Sequence, residues 1–514
     1  MALTIGQRRR SVQNLAENRQ TRSSTKDRYD DARATFDELI TWSRSAHERT
    51  HSEVEREFSE RGQELLRRAF QGHLAERYDT ERQSLRAVGK RRGLRVRVRT
   101  RDLESIFGRV QVRRHALLRR GKAADIPMDR VLNLPRELYS HTVRRRVADE
   151  ARRGSWDQAI ETIDRTTGAH VPKRQAEALV QRAAVDFEDF YADKLHVAND
   201  NALSTDALLV LSSDSKGVPM LPEALRDATR KQAEEADRTT VRGDPMAQKK
   251  LRRHDRRMAI VTAVFEQEPH KRTADDVVAG LDKTDRSRRA KAPRPHNKRV
   301  SASVEKSQAA GISEMFDEAD RRDPKRMRTT VVLVDGEERQ IDEVRKQAKI
   351  RGRNITLVVD LLHVLHYLFA AGLALCKKNE DATAVWVAHY LYRLLTAKTP
   401  FGVIQGIRSA ATKRRLSAEE RVPVDRCADY LLGVAHYIRY AEFLRQGFPI
   451  ATGIIEGACR HLVQDRLGIT GARWGLRSAE AILKLRALHS SGDLDEYWRF
   501  HELREGRRRH HVAA

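Results

Sequence analysis

The sequence predicts an α/β protein, and three observations support that prediction. Short apolar runs indicate strands within the first 360 residues, and stretches with helical periodicity separate several of them. Residues 361–450 show no strand pattern and are predicted to be all helical.

The sequence divides into seven predicted regions. They are a helical N-terminal region (1–93), a basic β-hairpin region (94–140), a helix-turn-helix-like region (141–200), the first part of an α/β core (201–360), a helical insertion (361–450), C-terminal helices of the core (451–490) and a basic tail (491–514).

The charge of the chain favours a polyanionic partner. Its 514 residues include 99 Lys and Arg against 73 Asp and Glu, a formal net charge of +26. Cationic side chains that neutralise phosphates release condensed counterions, which favours binding. The composition therefore predicts nucleic acid as the partner, and the alternative is a merely basic protein.

Cysteine usage and the N-terminus indicate a cytoplasmic location. Cys376, Cys427 and Cys459 form no CxxC pair, which argues against a zinc ribbon and against a disulfide framework. The N-terminus becomes charged within a few residues and lacks the apolar core of a signal peptide. No apolar stretch is long enough to span a bilayer, so we expect no membrane association.

A basic hairpin is predicted after the N-terminal helices. Apolar residues two apart, in the segment LRVRVRTRDLESIFGRVQVRRHALL, indicate two strands joined by a turn near Phe107-Gly108. Arg113 and Arg114 on the second strand are candidate DNA contacts. A solvated strand face is the alternative interpretation.

Residues 141–191 show the pattern of three helices. The segment HTVRRRVADEARRG forms the first, Ser155 begins the second, and Pro172 starts a third that runs through PKRQAEALVQRAAVDFEDFY. Helix, short turn and helix resemble a helix-turn-helix unit, which places Lys173, Arg174 and Gln175 at the start of a recognition helix. An ordinary helical hairpin is the alternative.

The α/β core begins after residue 201. We predict a strand ending in Asp214, a second strand RMAIVTAVFEQEP, a helix from VSASVEK to EADRR, and buried strands ending in Asp335 and Asp360. The continuous apolar runs VVLV and TLVV, joined by a helix, indicate a parallel pair covered on both faces. This order, in which hairpin strands are followed by a helix, a strand, a second helix and a further strand, is that of a ribonuclease H-like domain.

Three acidic residues form the predicted site. Asp214 and Asp335 end neighbouring strands, and the carboxyl edge of an α/β sheet is where sites assemble. Glu456, on a later helix, is the best candidate for a third carboxylate. Three carboxylates can hold two Mg²⁺ or Mn²⁺ ions, whose preferred ligands are hard oxygens, and can support in-line displacement at phosphorus.

Each acid also has a structural interpretation. Asp214 could cap the turn SDSKG, Asp335 could form a turn with the following glycine, and Glu456 could pair with Arg460 on a helix surface. Their order along a strongly basic chain favours catalysis.

Three further residues are auxiliary candidates. Asp360 is a rival metal ligand, although it could instead cap the helix that follows. His363 lies one helical turn further on and could orient substrate beside the metal site. Lys216 could contact a phosphate, with a solvated turn as its alternative.

The segments SDSKGVPM, LVDGEERQID, ITLVVDLLHVLHYL and GIIEGACRHLVQDRLGITGARWGLRSAEAILKLRAL resemble bacterial insertion-sequence transposases of the ISKra type, in the Mutator-like group of DDE transposases. The resemblance implies a ribonuclease H-like domain interrupted by helices, an Asp-Asp-Glu triad, and cleavage and strand transfer at terminal inverted repeats of double-stranded DNA. We expect a homo-oligomer on DNA in the bacterial cytoplasm, associated with the nucleoid. Asp360 and His363 match a family motif downstream of the second catalytic Asp, which favours Asp335 as the ligand.

The chain departs from the family pattern at two positions. Ser215 stands where the family usually has Gly, and His366 stands where it usually has Glu. These departures motivate a second hypothesis, a catalytically decayed transposase that acts as a sequence-specific DNA-binding protein. A third hypothesis is a junction or repair nuclease on the same fold.

Overall fold

We describe the fold from a computed structural model. It describes residues 27–92, 95–119, 121, 124–195, 206–239, 255–279, 293–451, 453–469 and 471–510. The chain divides into two compact units. The first comprises Met1–Glu150, Trp156–Ala176 and Glu502–Ala514, and the second comprises Ala151–Ser155 and Glu177–His501.

The first unit contains the predicted helices and hairpin. Its elements are α1 (Asp30–Ser45), α2 (His51–Arg92), β1 (Arg95–Ser105), β2 (Gly108–Leu118), α3 (Pro127–Val131), α4 (His141–Ala151) and α5 (Trp156–Thr166). Ser105 pairs with Gly108 across a two-residue turn, as predicted, and Gly108 has a φ of 116° that L side chains rarely adopt. Leu74 of α2, Leu103 of β1, Val110 and Val112 of β2, and Met128 of α3 form a small core.

The predicted third helix of the helix-turn-helix-like region is two helices. α6 (Lys173–Ala183) ends before α7 (Phe187–Leu195), so the continuous helix predicted from Pro172 to Tyr191 is wrong. The break buries aromatic residues of α7, because Phe187 and Phe190 are 5% and 2% exposed. The hydrophobic effect therefore favours a bent path over an uninterrupted helix here.

A five-stranded mixed sheet forms the centre of the second unit. Its strands are β3 (Leu208–Pro219), β4 (Arg256–Gln267), β5 (His296–Ser303), β6 (Thr330–Val334) and β7 (Ile355–Val359), in the spatial order β5-β4-β3-β6-β7. β3, β4 and β5 pair antiparallel, whereas β6 and β7 extend the sheet in parallel. The predicted parallel pair is thus confirmed.

Four helices connect these strands: α8 (Asp227–Thr239), α9 (Ala274–Ala279), α10 (Gln308–Arg322) and α11 (Glu338–Ile350). The helix predicted from Val300 onward begins only at Gln308, because HNKRVSAS is the edge strand β5. Ser307 caps α10 by accepting a hydrogen bond from the Ala310 N–H at 3.2 Å.

Residues 361–450 contain helices, as predicted, but more of them. They are α12 (Leu361–Leu375), α13 (Glu380–Thr396), α14 (Phe401–Lys413), α15 (Ala418–Gly433) and α16 (Tyr440–Gln446). A short 3₁₀ turn at Ala435–Tyr437 separates α15 from α16. The apolar residues of this segment share one core with the sheet.

The C-terminal part is helical to residue 510. α17 (Ile454–Ala458) continues through a π-helical turn at Cys459–Gln464, and α18 (Leu476–Ser491) and α19 (Leu494–His510) follow. The predicted loose tail is therefore wrong. His501 and Glu505 of α19 are 0% and 1% exposed, and a loose tail would not bury them. Among the described residues, no helix has both the length and the apolar character needed to cross a bilayer.

Candidate active site

Asp214 lies inside a strand and not at its end. β3 continues to Pro219 because β4 pairs with it along its whole length, with Asp214 opposite Val261. The prediction that the strand ends at Asp214, or that Asp214 caps a turn, is wrong. The parallel pairing of β3 with β6, however, ends at Ser212 opposite Leu333. Asp214 therefore stands just beyond the carboxyl end of the parallel ladder.

Asp335 directly follows β6, as predicted. Because Ser212 is level with Leu333, Asp214 and Asp335 each lie two residues past the last parallel pair. Residues at equal offsets on neighbouring parallel strands lie at the same height and point to the same face. The register thus brings the two aspartates to one edge of the sheet.

A buried glutamine links the backbones that carry these aspartates. Gln340, in the first turn of α11, is 1% exposed. Its Oε1 accepts a hydrogen bond from the Asp335 N–H at 3.1 Å. Its Nε2 donates to the Ser213 carbonyl oxygen at 2.9 Å and to Ser213 Oγ at 3.1 Å. One side chain therefore ties the end of β6 to the residue before Asp214.

The loop after Asp335 is fixed from two sides. The Asp335 Oδ1 accepts a hydrogen bond from the Glu337 N–H at 2.9 Å, so part of the predicted turn interpretation also holds. Gly336 has a φ of 94°, and a Cβ there would lie 2.8 Å from the Tyr430 hydroxyl. That hydroxyl donates to the Asp335 carbonyl oxygen at 2.7 Å. Only glycine fits this turn with Tyr430 in place.

Glu456 has a buried carboxylate without a hydrogen-bond partner. Both its oxygens are inaccessible and accept no hydrogen bond. The predicted surface pair with Arg460 is absent, because Arg460 Nε instead lies 3.5 Å from Asp465. The helix α17 that carries Glu456 packs against β3 and β4.

Cys459 connects the helix of Glu456 to Asp214. Its thiol donates to Asp214 Oδ2 at 3.3 Å, and the Ser215 N–H donates to Asp214 Oδ1 at 2.6 Å. Burial raises the pKa of the Cys459 thiol, and the negative charges of Asp214 and Glu456 add to that rise. The nearby Lys216 opposes the rise, so Lys216 also lies in this neighbourhood.

The electrostatics of Asp335 indicate the same cluster. Burial raises the pKa of Asp335 above its ordinary value, and the negative charge of Asp214 acts in the same direction. The Glu337 N–H and the charge of His363 oppose the rise. Asp214 and His363 are therefore both close enough to Asp335 to influence its ionisation.

Asp360 caps the helix that follows it, which was the alternative to a role as metal ligand. It is the N-cap of α12, and its Oδ1 accepts a hydrogen bond from the Leu362 N–H at 2.8 Å. His363, one turn along α12, is half-buried, whereas His366 is exposed. The structure thus gives Asp360 a capping role, whereas the charge of His363 opposes the rise in the pKa of Asp335.

Three carboxylates on adjoining elements are a donor set suited to Mg²⁺ or Mn²⁺. The strongest sign of such a ligand is Glu456, since a buried carboxylate without hydrogen bonds is costly unless a positive charge compensates it. Within the described ranges, however, no three His, Cys, Asp or Glu side chains are grouped closely enough to hold an ion, and this includes Asp214, Asp335 and Glu456.

The predicted DNA contacts lie in the first unit and divide into two classes. Lys173, Arg174, Gln175 and Arg113 are exposed, and Lys173 Nζ contacts Asp157 Oδ1 at 2.8 Å. Arg114 is 7% exposed, and its guanidinium contacts Asp129 Oδ2 at 2.6 Å. Arg114 is not accessible to a ligand, so we withdraw it as a DNA contact.

Sequence reasoning did not identify Gln340, Cys459 or Tyr430 as site residues. The sequence after Asp335 offers one weak signal, because Gln340 begins the buried face of an otherwise charged helix. Nothing in the local sequence marks Cys459 or Tyr430. The chain matches no protein-family model and has no significant match among curated proteins.

Proposed function

We propose that the chain is a DNA transposase of an insertion sequence, which cleaves the element ends and joins them to target DNA with two Mg²⁺ or Mn²⁺ ions. The observation that carries the proposal is the buried, unpartnered Glu456 carboxylate beside the Asp214–Cys459 pair. The strand order β5-β4-β3-β6-β7 supports a ribonuclease H-like core, with α12 to α16 as a helical insertion.

In this proposal Asp214, Asp335 and Glu456 would hold the metal ions. Such ions, if bound there, would lower the pKa of an attacking water or DNA hydroxyl and stabilise the leaving oxygen. Gln340 and the Ser215 N–H fix the two aspartates, because they hydrogen-bond the strand ends and the Asp214 carboxylate. His363 and Lys216 orient a phosphate by their positive charge or their N–H donors.

The exposed residues Lys173, Arg174, Gln175 and Arg113 would bind the terminal inverted repeats. Cationic side chains supply affinity through phosphate contacts, and the start of a helix can present donors to base edges. We further propose that the protein acts as a homo-oligomer on DNA in the bacterial cytoplasm.

The test is cleavage of duplex DNA carrying the ends of the element, with Mg²⁺ or Mn²⁺. Asp214→Asn, Asp335→Asn and Glu456→Gln should each lower the rate by more than the roughly 100-fold typical of losing a residue that only orients a metal ligand. Glu337→Gln is the matched control, since this exposed carboxylate lies two residues from Asp335 and should leave cleavage nearly unchanged. Equal activity of wild type and Glu456→Gln would remove that residue from the site.

A second candidate is a decayed transposase that binds DNA without cutting it. It is favoured by the dispersed arrangement of metal-ligating side chains within the described residues, together with Ser215 and His366. It predicts end binding that is equal with and without metal, and no nicking at any Mn²⁺ concentration. Nicking that disappears in Asp335→Asn would exclude it.

A further inference from the structure

Strand β1 carries a stripe of three exposed arginines. Arg95, Arg97 and Arg99 alternate with valines, and every residue from 95 to 100 is exposed. Side chains two apart on a strand point to the same face. The three guanidinium groups therefore form a single row, which we call the β1 arginine stripe.

The stripe is electrostatically uncompensated, unlike the arginines around it. Arg109 pairs with Glu104 at 3.0 Å, and Arg114 pairs with Asp129 at 2.6 Å. The next alternating residue, Arg101, donates to the Pro135 carbonyl oxygen at 2.6 Å.

Within the described part of the chain, the stripe residues have no ion pair and no side-chain hydrogen bond. Their cross-strand partners carry no negative charge either: they are Leu118, Ala116 and Arg114. Three like charges held in a row without counter-charges are costly unless an anion approaches them.

We propose that the β1 arginine stripe binds the phosphate backbone of double-stranded DNA, an inference that takes its ligand from the proposed function. A strand rises about 3.4 Å per residue, so the stripe positions are about 6.8 Å apart. Charges along one strand of duplex DNA are about 3.4 Å apart, so the two spacings are commensurate. Arginine also matches phosphate geometry by donating two parallel hydrogen bonds.

The backbone of β1 adds to this surface. The hairpin is a two-stranded sheet, and among the described residues β1 pairs only with β2 except at Glu104, which forms an isolated bridge with Tyr139. One edge of β1 therefore presents N–H groups that can donate to phosphate oxygens, as backbone amides do in many DNA complexes. Edge strands are often protected from pairing by a charge, but one charge is enough for that purpose.

The test measures binding of the full chain to a 30-base-pair duplex in EDTA, over a series of salt concentrations. Each phosphate contact contributes about 0.9 to the slope of log K against log salt, so Arg95→Gln/Arg97→Gln/Arg99→Gln should reduce that slope by about 2.7. Replacing the same residues with Lys should keep most of the slope, because phosphate neutralisation needs charge. EDTA removes the metal ions, so binding is measured without cleavage. Failure of the stripe proposal can therefore be distinguished from failure of the proposed catalysis.

The matched control removes three charges elsewhere. Lys325, Arg326 and Lys349 are exposed and lie at the amino ends of β6 and β7, opposite the edge with Asp335. Their triple Gln variant should keep the wild-type slope. An equal loss in both triple variants would show that only net charge matters and would overturn the proposal.

Two further outcomes decide the ligand and the fold. Tighter stripe-dependent binding to duplex RNA or single-stranded RNA than to duplex DNA would overturn the assignment to DNA. The Gln variant should unfold at the wild-type temperature, because its side chains are exposed. If it does not, Arg97→Gln alone must reduce the slope by about 0.9 for the proposal to stand.

Discussion

We predict that Gln340 is required to keep Asp214 and Asp335 at the same level along their neighbouring strands. Replacing it with Met keeps the volume but removes the amide that accepts from Asp335 N–H and donates to Ser213. These groups are buried, and an unsatisfied buried donor or acceptor costs about 1–3 kcal/mol. Two such groups make the expected loss about 2–4 kcal/mol of unfolding free energy, after partial relaxation.

Gln347→Met is the matched control on the same helix. Gln347 is 8% exposed, but its partners Glu343 and Arg351 each keep another ion pair, with Lys346 and Asp317, after the amide is lost. We expect it to cost less than about 1 kcal/mol. Urea denaturation gives both free energies, and hydrogen exchange should show faster exchange of the Asp335 N–H only in Gln340→Met.

The functional readout is the metal concentration that gives half-maximal cleavage. A misplacement of about 1 Å can cost about 100-fold in rate, so Gln340→Met should raise that concentration and lower the rate even under conditions where it stays folded. Unchanged exchange at Asp335 together with an unchanged metal requirement would refute the reasoning.

Three other predictions concern stability. Burial and the charge of Arg144 lower the pKa of His141 from 6.5 to about 4. The contribution of His141 to the free energy of unfolding is therefore fully present above pH 6.5 and falls by up to about 3 kcal/mol as the pH drops toward 4. The His141→Gln variant should lack this pH dependence of unfolding. Arg144→Met removes the 2.9 Å partner of the buried Glu505, which keeps Arg509 at 3.0 Å, and should cost about 1.5–3 kcal/mol by urea denaturation, whereas Arg146→Met, at an exposed position of the same helix, should cost less than about 1 kcal/mol. The pKa of Asp335 is raised in the folded protein, so its contribution to stability is present below its ordinary pKa and is lost as the pH rises through its pKa in the folded state. The Asp335→Asn variant should therefore have a higher unfolding temperature than wild type at pH 7. A lower temperature would contradict this sign.

The sequence predicted which segments form the strands that carry the site, but it predicted the lengths of those strands less well. Apolar runs revealed β3, β6 and β7 because those strands are buried in the sheet. The run in β3 ends before Asp214, yet the strand continues because β4 supplies partners for its polar half. Periodicity reports burial, and it cannot report hydrogen bonds made by an exposed or polar stretch.

Long-range contacts account for what was missed at the site. Cys459 and Asp214 are separated by 245 residues, and Gln340 and Ser213 by 127. No local pattern specifies such pairs, since they arise only when the sheet and helices pack. The buried end of α19 was missed for the same reason: HELREGRRRHH is polar, but Glu505 there binds the distant Arg144.

The three proposed ligands differ in how far the protein already satisfies them. Asp214 accepts hydrogen bonds on both oxygens, Asp335 accepts one from Glu337, and Glu456 accepts none. A cation therefore gains the most by approaching Glu456, whose oxygens accept no hydrogen bond from the described part of the chain. Asp214 is held in place by its own contacts, so it acts as the fixed point of the site. Glu456 sits just before a π-helical turn, a feature that often marks functional sites, and a small shift of that turn would move its carboxylate relative to the aspartates.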